Sequence, residues 1–300
     1  MRALILGGDG MLGHKAFQVL AQTHEVWASF LSLRGLWTTF PTYDRVPRER
    51  LIGGVDAADF HSVVRALARS KPDVVVNCVG IIKQLEEAND PILALTINAV
   101  FPHRLADLCT ATGARLIHVS TDCVFSGRQG MYTEDDVSDA EDLYGRSKFL
   151  GEVGGPGCLT IRTSIIGRDF LKQSALLEWF LAQRGGTVRG YRNAVFSGLT
   201  TQALACVMGD VMERHADLEG VVQVASEPIS KLALLGKIRD AMALDVAIEP
   251  FDDPPCDRSL SPARFVAATG YRIPTWDEMV ADLAADSTPY DDWRRRHAAA

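Results

Sequence analysis

The sequence lacks the features that mark several large classes of protein. Its six cysteines include no CxxC pair, and its seven histidines form no HExxH or His-x-His motif. These absences argue against a zinc site and against a disulfide framework. Acidic residues outnumber basic ones, and the formal net charge is −7. This charge balance argues against a nucleic-acid partner. We therefore expect reduced thiols and no dedicated metal site.

Long apolar runs are missing as well. No apolar run reaches membrane-spanning length, and glycines interrupt the apolar start MRALILGG too early for a signal-peptide core. The sequence therefore predicts a cytoplasmic protein with no membrane partner. The short basic run Arg294–Arg296 is interpreted as part of a solvated C-terminal end.

Short apolar segments alternate with helical patterns through the first half of the chain. Strands that are apolar throughout, separated by helices, are typical of a parallel sheet covered on both faces. The predicted fold class is therefore α/β, with a doubly wound parallel sheet (Rossmann) and a smaller mixed α/β substrate-binding lobe. We expect a nucleotide-binding domain over residues 1–165 that takes back residues 195–214, and a mainly substrate-binding lobe over 166–300.

The expected elements follow from these patterns. The predicted strands are Arg2–Leu6, Glu25–Ser29, Leu51–Val55, Val74–Cys78, Leu116–Ser120, Leu159–Thr163 and Val221–Ala225. The predicted helices are Met11–Gln22, Phe60–Ser70, Pro91–Thr112, Tyr144–Val153, Leu176–Gln183, Thr201–Arg214 and Leu232–Ala243, with a final helix that begins near Thr275.

Three glycines lie between the first predicted strand and the first predicted helix. Gly7, Gly10 and Gly13 are spaced three residues apart. Such glycines allow a tight turn, a close approach of backbone N–H groups to a pyrophosphate, and close packing of the helix on the sheet. The position predicts dinucleotide binding, although a bare structural turn has the same composition.

The region after the second predicted strand contains no acid. Proteins that bind NAD usually have an Asp or Glu there to hold the adenine ribose. Here Ser29 and Arg34 are available instead, and a guanidinium suits a 2′-phosphate, which favours NADPH over NADH. Arg34 is equally compatible with a solvated loop. Asp56 is a candidate partner for the adenine amino group, or a cap for the helix that follows.

A tyrosine and a lysine share one face of the predicted helix around DLYGRSKFL. Tyr144 and Lys148 are four residues apart, and Thr121 follows a predicted strand at the edge where ligands bind in this fold. A phenol is a poor acid–base group near neutrality unless a nearby cation lowers its pKa. We interpret Tyr144 as the proton donor, Lys148 as the cation that tunes it and Thr121 as the group that holds the substrate oxygen. A Tyr-x-x-x-Lys spacing alone is common and carries little weight.

With these residues in place, the chain resembles the extended short-chain dehydrogenase/reductase superfamily. Within it, the chain is most similar to the dTDP-4-dehydrorhamnose reductases and related nucleotide-sugar 4-ketoreductases. The segments that carry the likeness are GGDGMLG (7–13), VVVNCVG (74–80), TINA (96–99), STDCVFSG (120–127), YTEDD (132–136), YGRSKFLGE (144–152), IRTSIIG (161–167), FSGLTT (196–201) and RSL (258–260).

The resemblance implies a reaction and a cofactor site. NAD(P)H would reduce the C4 ketone of a nucleotide-activated 4-keto-6-deoxy sugar, with Thr121, Tyr144 and Lys148 as catalytic residues. The residues implied to line the cofactor are Gly7, Gly10, Met11, Leu12, Gly13, Cys78, Val79, Gly80 and Asn98, together with Tyr144 and Lys148.

The resemblance also implies substrate contacts at Lys83, Cys123, Val124, Phe125 and Arg258. Arg258 is a candidate partner for the nucleotide diphosphate, although it also fits a surface position. The rhamnose enzymes usually have tyrosine at the position of Cys123, so the sugar stays open and includes UDP-linked 2-acetamido sugars.

Three functions remain after this comparison. The leading one is a nucleotide-sugar 4-ketoreductase that acts as a monomer or homodimer. The alternatives are a 4-epimerase or 4,6-dehydratase that retains NAD, and a non-catalytic NAD(P)-binding subunit on the same fold.

Overall fold

The computed structural model describes residues 1–32, 40–82, 89–169, 175–252 and 254–297. The strands of this part of the chain are β1 Arg2–Leu6, β2 Glu25–Phe30, β3 Leu51–Gly53, β4 Val74–Asn77, β5 Arg115–Val119, β6 Cys158–Arg162, β7 Ile165–Ile166, β8 Thr187–Tyr191, β9 Ala194–Phe196, β10 Leu199–Thr200, β11 Gly220–Gln223, β12 Ile229–Ser230, β13 Ala247–Phe251 and β14 Cys256–Asp257.

The helices cover the sheet and build the second half of the chain. They are α1 Met11–Leu20, α2 Pro41–Asp44, α3 Phe60–Ser70, α4 Pro91–Ala94, α5 Phe101–Thr112, α6 Leu143–Leu150, α7 Leu176–Leu181, α8 Thr201–Arg214, α9 Lys231–Ala241, α10 Ala263–Thr269, α11 Trp276–Ala284 and α12 Tyr290–His297. Short 3₁₀ turns lie at Arg48–Arg50 and Asp122–Val124.

A parallel sheet with the order β11-β6-β5-β4-β1-β2-β3 forms the centre of the molecule. The order reverses between β1 and β4, which is the switch point where ligands bind in doubly wound folds. The predicted doubly wound α/β fold is confirmed. Alternate residues of each central strand are buried on opposite faces, and this explains why the strands are apolar throughout.

The chain returns to this sheet after residue 200. Helix α8 packs on α1, and both contribute to the same core cluster. Strand β11 then pairs with β6, with Val222 opposite Ile161. The sequence pattern placed this strand in the second lobe, because its position in the sheet depends on a pairing partner about 60 residues away. The boundary between the two predicted domains stays a prediction.

The long predicted helix from Pro91 to Thr112 contains an irregular middle. Residues Leu95–Val100 form a π-helical segment between α4 and α5, and Gly113 ends the helix with a φ of 73°. This helix corrects one expectation, since among the described residues it is long and apolar enough to cross a membrane by length and composition alone. Its side chains Phe101, Leu105 and Cys109 are packed in a core cluster on one face of the sheet.

The C-terminal end is solvated only in part, since Arg295 and Arg296 are exposed whereas other residues of α12 are buried. Tyr290 and Trp293, on α12, are almost completely buried in the main core cluster. Arg294 donates to Glu178 at 2.8 Å, so one of the three arginines is an internal ion-pair partner. The spacing of Tyr290 and Trp293 places both on one helical face, and this sequence signal for burial was obscured by the basic composition.

The cysteines form no disulfide within the described part of the chain. Cys109 and Cys158 are buried, as expected for structural thiols, whereas Cys206 on α8 is exposed. The expectation of buried thiols therefore holds for only part of the set.

Two helical glycines provide a matched test of packing. An added Cβ at Gly145 in α6 would lie 2.2 Å from the carbonyl oxygen of Cys123, whereas one at Gly236 in α9 meets no atom of the described part of the chain within 4 Å. We expect Gly145→Ala to lower the free energy of unfolding by about 2 kcal/mol because of overpacking. Gly236→Ala should raise it by about 0.5–1 kcal/mol, because alanine favours a helix. Urea titration of both variants measures these changes, and equal stabilisation by both would contradict the close contact of α6.

Candidate active site

The glycine loop between β1 and α1 has the geometry of a phosphate cradle. Gly7 has a φ of 82°, and a Cβ at Gly13 would lie 2.0 Å from the carbonyl oxygen of Gly7. Glycine is required at both positions, at the first by the left-handed backbone and at the second by close packing. Of the atoms in the described residues, only the carbonyl oxygen of Gly7, at 3.4 Å, lies near an added Cβ at Gly10. The backbone at Gly10 is thus open to a ligand, which fits the needs of a dinucleotide pyrophosphate.

The start of α1 supplies donors next to this loop. The first N–H groups of a helix, here those of Met11, Leu12 and Gly13, have no partner within the helix. Together with the helix dipole, they make the N-terminus of α1 suited to an anion. The side chain of Leu12 is buried in the core, so its predicted role is confined to its backbone.

Ser29 lies beneath the glycine loop, and its contact with the cofactor stays a prediction. The residue is buried, its carbonyl accepts from the N–H of Gly8 at 2.8 Å, and its Oγ accepts from the N–H of Gly7 at 3.4 Å. The Ser29 hydroxyl therefore supports the glycine loop from beneath, because this position of β2 faces inward. The other candidate for the 2′-phosphate, Arg34, lies outside the described residues.

Asp56 lies at the edge of the predicted adenine site. Its carboxylate accepts from the N–H of Ala58 at 2.8 Å, and its own N–H donates to the Ser62 hydroxyl at 2.8 Å. The cap of α3 is Asp59, which accepts from the N–H of His61 at 3.2 Å. The capping alternative for Asp56 is therefore wrong, and its contact with adenine stays a prediction.

The loop that follows β4 is fixed by buried amides. Asn98 donates to the carbonyl of Ile81 at 3.0 Å and accepts from the N–H of the same residue at 2.9 Å. Its amide also donates to the Ser147 hydroxyl of α6 at 3.3 Å. Asn98 belongs to the π-helical segment, an irregularity that is frequent at functional sites because it redirects a side chain. The amide holds the predicted cofactor loop, Cys78 to Gly80, against the helix that carries Tyr144.

The first residues of this loop are ordered in the same way. The N–H of Val79 donates to the side-chain oxygen of Asn77 at 3.1 Å, and the N–H of Cys78 donates to the carbonyl of Leu6 at 3.1 Å. Burial raises the pKa of the Cys78 thiol to about 12, so the group is neutral. Gly80 is exposed, with Asn98 and the Lys148 ammonium close to the position of an added Cβ.

Thr121 and Tyr144 meet at the carboxyl end of β5. The two side chains are neighbours, and the Thr121 hydroxyl donates to the Asp122 carboxylate at 3.2 Å and accepts from the N–H of Cys123 at 3.1 Å. Burial raises the pKa of the Tyr144 phenol, with a further contribution from the nearby Cys123, while the neighbouring Thr121 hydroxyl acts in the opposite direction. The phenol is therefore protonated at neutral pH and able to donate. The lowering of this pKa by a bound nicotinamide cation stays a prediction.

Lys148 lies one turn further along α6 and points onto the sheet. Its ammonium donates to the carbonyl of Val119 at 2.7 Å. Burial lowers the pKa of Lys148 to about 8, and the negative charge of Glu152 limits this fall. The residue thus keeps a mostly protonated side chain at neutral pH in a buried position next to the predicted cofactor loop.

A buried ion pair that the sequence analysis missed holds the end of α6. Arg162 donates to both carboxylate oxygens of Glu152, at 2.8 and 2.7 Å, and both side chains are about 5% exposed. The Ser120 hydroxyl donates to the same carboxylate at 2.8 Å. Bidentate geometry makes such a pair strong and directional. The sequence indicated this pair only through the acid Glu152, which lies four residues after Lys148.

A cleft of about 380 Å³ opens beside the catalytic candidates. Its lining includes three of the predicted substrate residues, Cys123, Phe125 and Arg258. The Arg258 guanidinium donates to the carbonyl of Phe125 at 2.9 Å and experiences the negative charge of Asp122 and Asp142. The cleft therefore offers a cation whose orientation is fixed by the backbone, and its contact with a diphosphate stays a prediction.

Two of the predicted substrate residues serve mainly in packing. Val124 has no exposed surface, and it packs in a small cluster with Phe125, Tyr132 and Leu260. The side chain is directed inward at the 3₁₀ turn, and a substrate contact at Val124 stays a prediction. The Phe125 ring stacks on Tyr132 with ring centres 4.1 Å apart, although the residue also borders the cleft. Lys83 lies outside the described residues.

Comparison with known proteins adds to this geometry. The family model described as RmlD substrate binding domain matches residues 1–288. The chain is 40% identical to a dTDP-4-dehydrorhamnose reductase of Streptomyces griseus over 101 residues, which is 33% of each protein. It is 29% identical to methionine adenosyltransferase 2 subunit beta of Xenopus tropicalis over 180 residues, which is 58% of this chain and 49% of the relative.

Solved structures show the same fold. The structure of a dTDP-4-dehydrorhamnose reductase from Bacillus anthracis in complex with NADP matches with a TM-score of 0.77 at 18% identity. The match covers 95% of this chain and 99% of the other. The matches to curated relatives, by contrast, span only a third to about half of the relatives' length.

The buried position of Lys148 makes a prediction about pH. Its pKa is about 8 in the folded chain and 10.5 when exposed, so between these values only the unfolded chain holds the proton. This difference in proton binding therefore makes the free energy of unfolding rise as the pH increases from 8 towards 10.5. Relative to Lys148→Met, the wild-type free energy of unfolding should rise by about 1–2 kcal/mol between pH 7.5 and 9.5. Parallel pH profiles from urea titration would contradict the depressed pKa.

Proposed function

The chain belongs to the family of the RmlD substrate binding domain, and on this premise we propose that it is an NADPH-dependent nucleotide-sugar 4-ketoreductase. The substrate would be a 4-keto-6-deoxy sugar attached to a nucleoside diphosphate, and the product its C4 alcohol. The observation that carries the proposal is the juxtaposition of Thr121 and Tyr144, at the sheet edge that also holds Lys148 and the glycine loop.

Bound NADPH would supply the hydride for the carbonyl carbon. Tyr144 then gives its phenolic proton to the carbonyl oxygen, which supports reduction because burial keeps the phenol protonated. Thr121 would hold the same oxygen through its hydroxyl, which lies beside the phenol. The Lys148 ammonium would bind the nicotinamide ribose and stabilise the phenolate that forms in the transfer.

The cofactor site would be built from backbone groups. The N–H groups at the start of α1 would bind the pyrophosphate, and the loop from Cys78 to Gly80, held by Asn98, would border the nicotinamide half. NADPH is proposed because the region after β2 has no acid in the sequence, and because the similar structure from Bacillus anthracis is a complex with NADP.

The substrate would occupy the cleft lined by Cys123 and Arg258. Arg258 is proposed to pair with the diphosphate, since a guanidinium matches phosphate oxygens in bidentate geometry. We propose a cytoplasmic location, because nucleotide-activated sugars and NADPH are both intracellular metabolites.

A second candidate is a non-catalytic dinucleotide-binding subunit. The similarity to methionine adenosyltransferase 2 subunit beta, which extends over 58% of this chain, favours it. Purified protein tested with NADPH and a panel of dTDP-, UDP- and GDP-linked 4-keto-6-deoxy sugars separates the two. NADPH oxidation with one nucleotide sugar supports the reductase, whereas dinucleotide binding without turnover on any member favours the subunit.

Replacement of Tyr144 by phenylalanine tests the proton donor. Tyr144→Phe keeps the ring in place, so we expect unchanged NADPH affinity and a fall in kcat of about 100-fold or more. Stopped-flow absorbance gives kcat, and fluorescence titration gives the affinity. Tyr191→Phe, in β8, is the matched control and should behave as wild type. Near-normal turnover by Tyr144→Phe would contradict the mechanism.

The cofactor choice has its own test. Turnover efficiency should be at least tenfold higher with NADPH than with NADH, equivalent to about 1.4 kcal/mol. An advantage for NADH, or reduced nicotinamide absorbance in protein purified without added cofactor, would favour an epimerase or dehydratase that retains NAD.

A further inference from the structure

A buried histidine connects the glycine loop to the C-terminal helix. His14 has no exposed surface, with its Nδ1 2.8 Å from the carbonyl oxygen of Gly10 and its Nε2 2.9 Å from the Tyr290 hydroxyl. A carbonyl can only accept, so Nδ1 carries the proton and Nε2 accepts from the phenol. Burial lowers the pKa of His14 to about 4, so the ring is neutral at pH 7 and keeps these roles.

The relay, which runs from the Tyr290 hydroxyl through the His14 ring to the Gly10 carbonyl, ends on the peptide group that faces the predicted pyrophosphate. The Gly10 carbonyl accepts both from the His14 ring and from the His14 backbone N–H, the latter at 3.1 Å. A planar trans peptide directs its carbonyl and the following N–H in opposite directions. Two donors on the Gly10 carbonyl therefore fix the direction of the Met11 N–H. That N–H belongs to the first turn of α1 and has no partner within the helix.

The phenol at the other end of the relay is held from several sides. The Tyr290 ring packs against Phe40 with ring centres 5.6 Å apart, and the Arg168 guanidinium lies 4.8 Å from the ring centre. These ring contacts hold the Tyr290 hydroxyl on His14. Arg168 pairs with Glu178 at 2.8 Å as well as with Asp291 at 2.7 Å, so its place on the ring does not depend on Asp291.

We propose that Tyr290 is a positioning residue for the dinucleotide, acting through His14 and Gly10 to aim the Met11 N–H at the pyrophosphate. The C-terminal helix α12 is then part of the cofactor site, although it is 276 residues from His14 in the chain and does not reach the glycine loop itself. This inference rests on the proposed dinucleotide binding. It adds that the affinity for the dinucleotide depends on the Tyr290 hydroxyl of α12.

The test is direct titration of the dinucleotide. Tyr290→Phe removes the hydroxyl and keeps the ring, so we expect the Kd for NADPH, measured by nicotinamide fluorescence, to rise about fivefold, equivalent to about 1 kcal/mol. With saturating NADPH, kcat should be unchanged, because the chemistry at Tyr144 is untouched. An unchanged Kd overturns the inference. This holds even if the melting temperature of the dinucleotide-free variant falls.

A control on the same helix separates this role from simple docking of α12. Asp291→Asn loses the charge that pairs with Arg168 and leaves the relay intact, so its Kd should equal that of wild type. An equal rise in both variants overturns the role of the hydroxyl. A wild-type chain that binds neither NADPH nor NADH overturns the proposed function as well, whereas equal binding by wild type and Tyr290→Phe overturns only the relay.

Discussion

The close approach of α6 to the carboxyl end of the sheet is the constraint on which the site depends. Gly145 lets the helix contact the backbone of Cys123, and Gly151 lets the chain after the helix contact the carbonyl of Asn98. The bidentate pair of Glu152 and Arg162 then fixes this end to β6. Because most of these contacts are polar and directional, they set the position of the helix more narrowly than an apolar face would. Tyr144 and Lys148 derive their geometry from this arrangement.

Burial has opposite consequences for the two side chains. It raises the pKa of the Tyr144 phenol, which keeps the proton available for donation, and it lowers the pKa of Lys148, which makes the ammonium costly to hold. The carbonyl of Val119 and the carboxylate of Glu152 offset part of that cost. A reductase needs both features, a protonated donor and a nearby cation, and the helix supplies them from one face.

Much of the fold and part of the site could be predicted from the sequence, for physical reasons. Central strands such as β4 are apolar on both faces, and the glycine loop has a fixed spacing, so both are local patterns. The juxtaposition of Thr121 and Tyr144 required only that a strand end and a helix face meet at one sheet edge. The pairs Glu152–Arg162 and His14–Tyr290 could not be predicted, because each joins segments that only the tertiary fold brings together. The burial of Ser29 and Val124 was missed because a local pattern does not say which face of a strand or turn is buried.

The central claim is that this site delivers hydride to a sugar ketone and a proton from Tyr144 to its oxygen. The most direct measurement is incubation of the purified protein with NADPH carrying deuterium at the transferable position and a dTDP-linked 4-keto-6-deoxy sugar, with analysis of the product by NMR. The account predicts one deuterium at C4 of a 4-hydroxy sugar, and none when Tyr144 is phenylalanine within the same reaction time. Dinucleotide binding without deuterium at C4 of this substrate or of its UDP and GDP counterparts would contradict it.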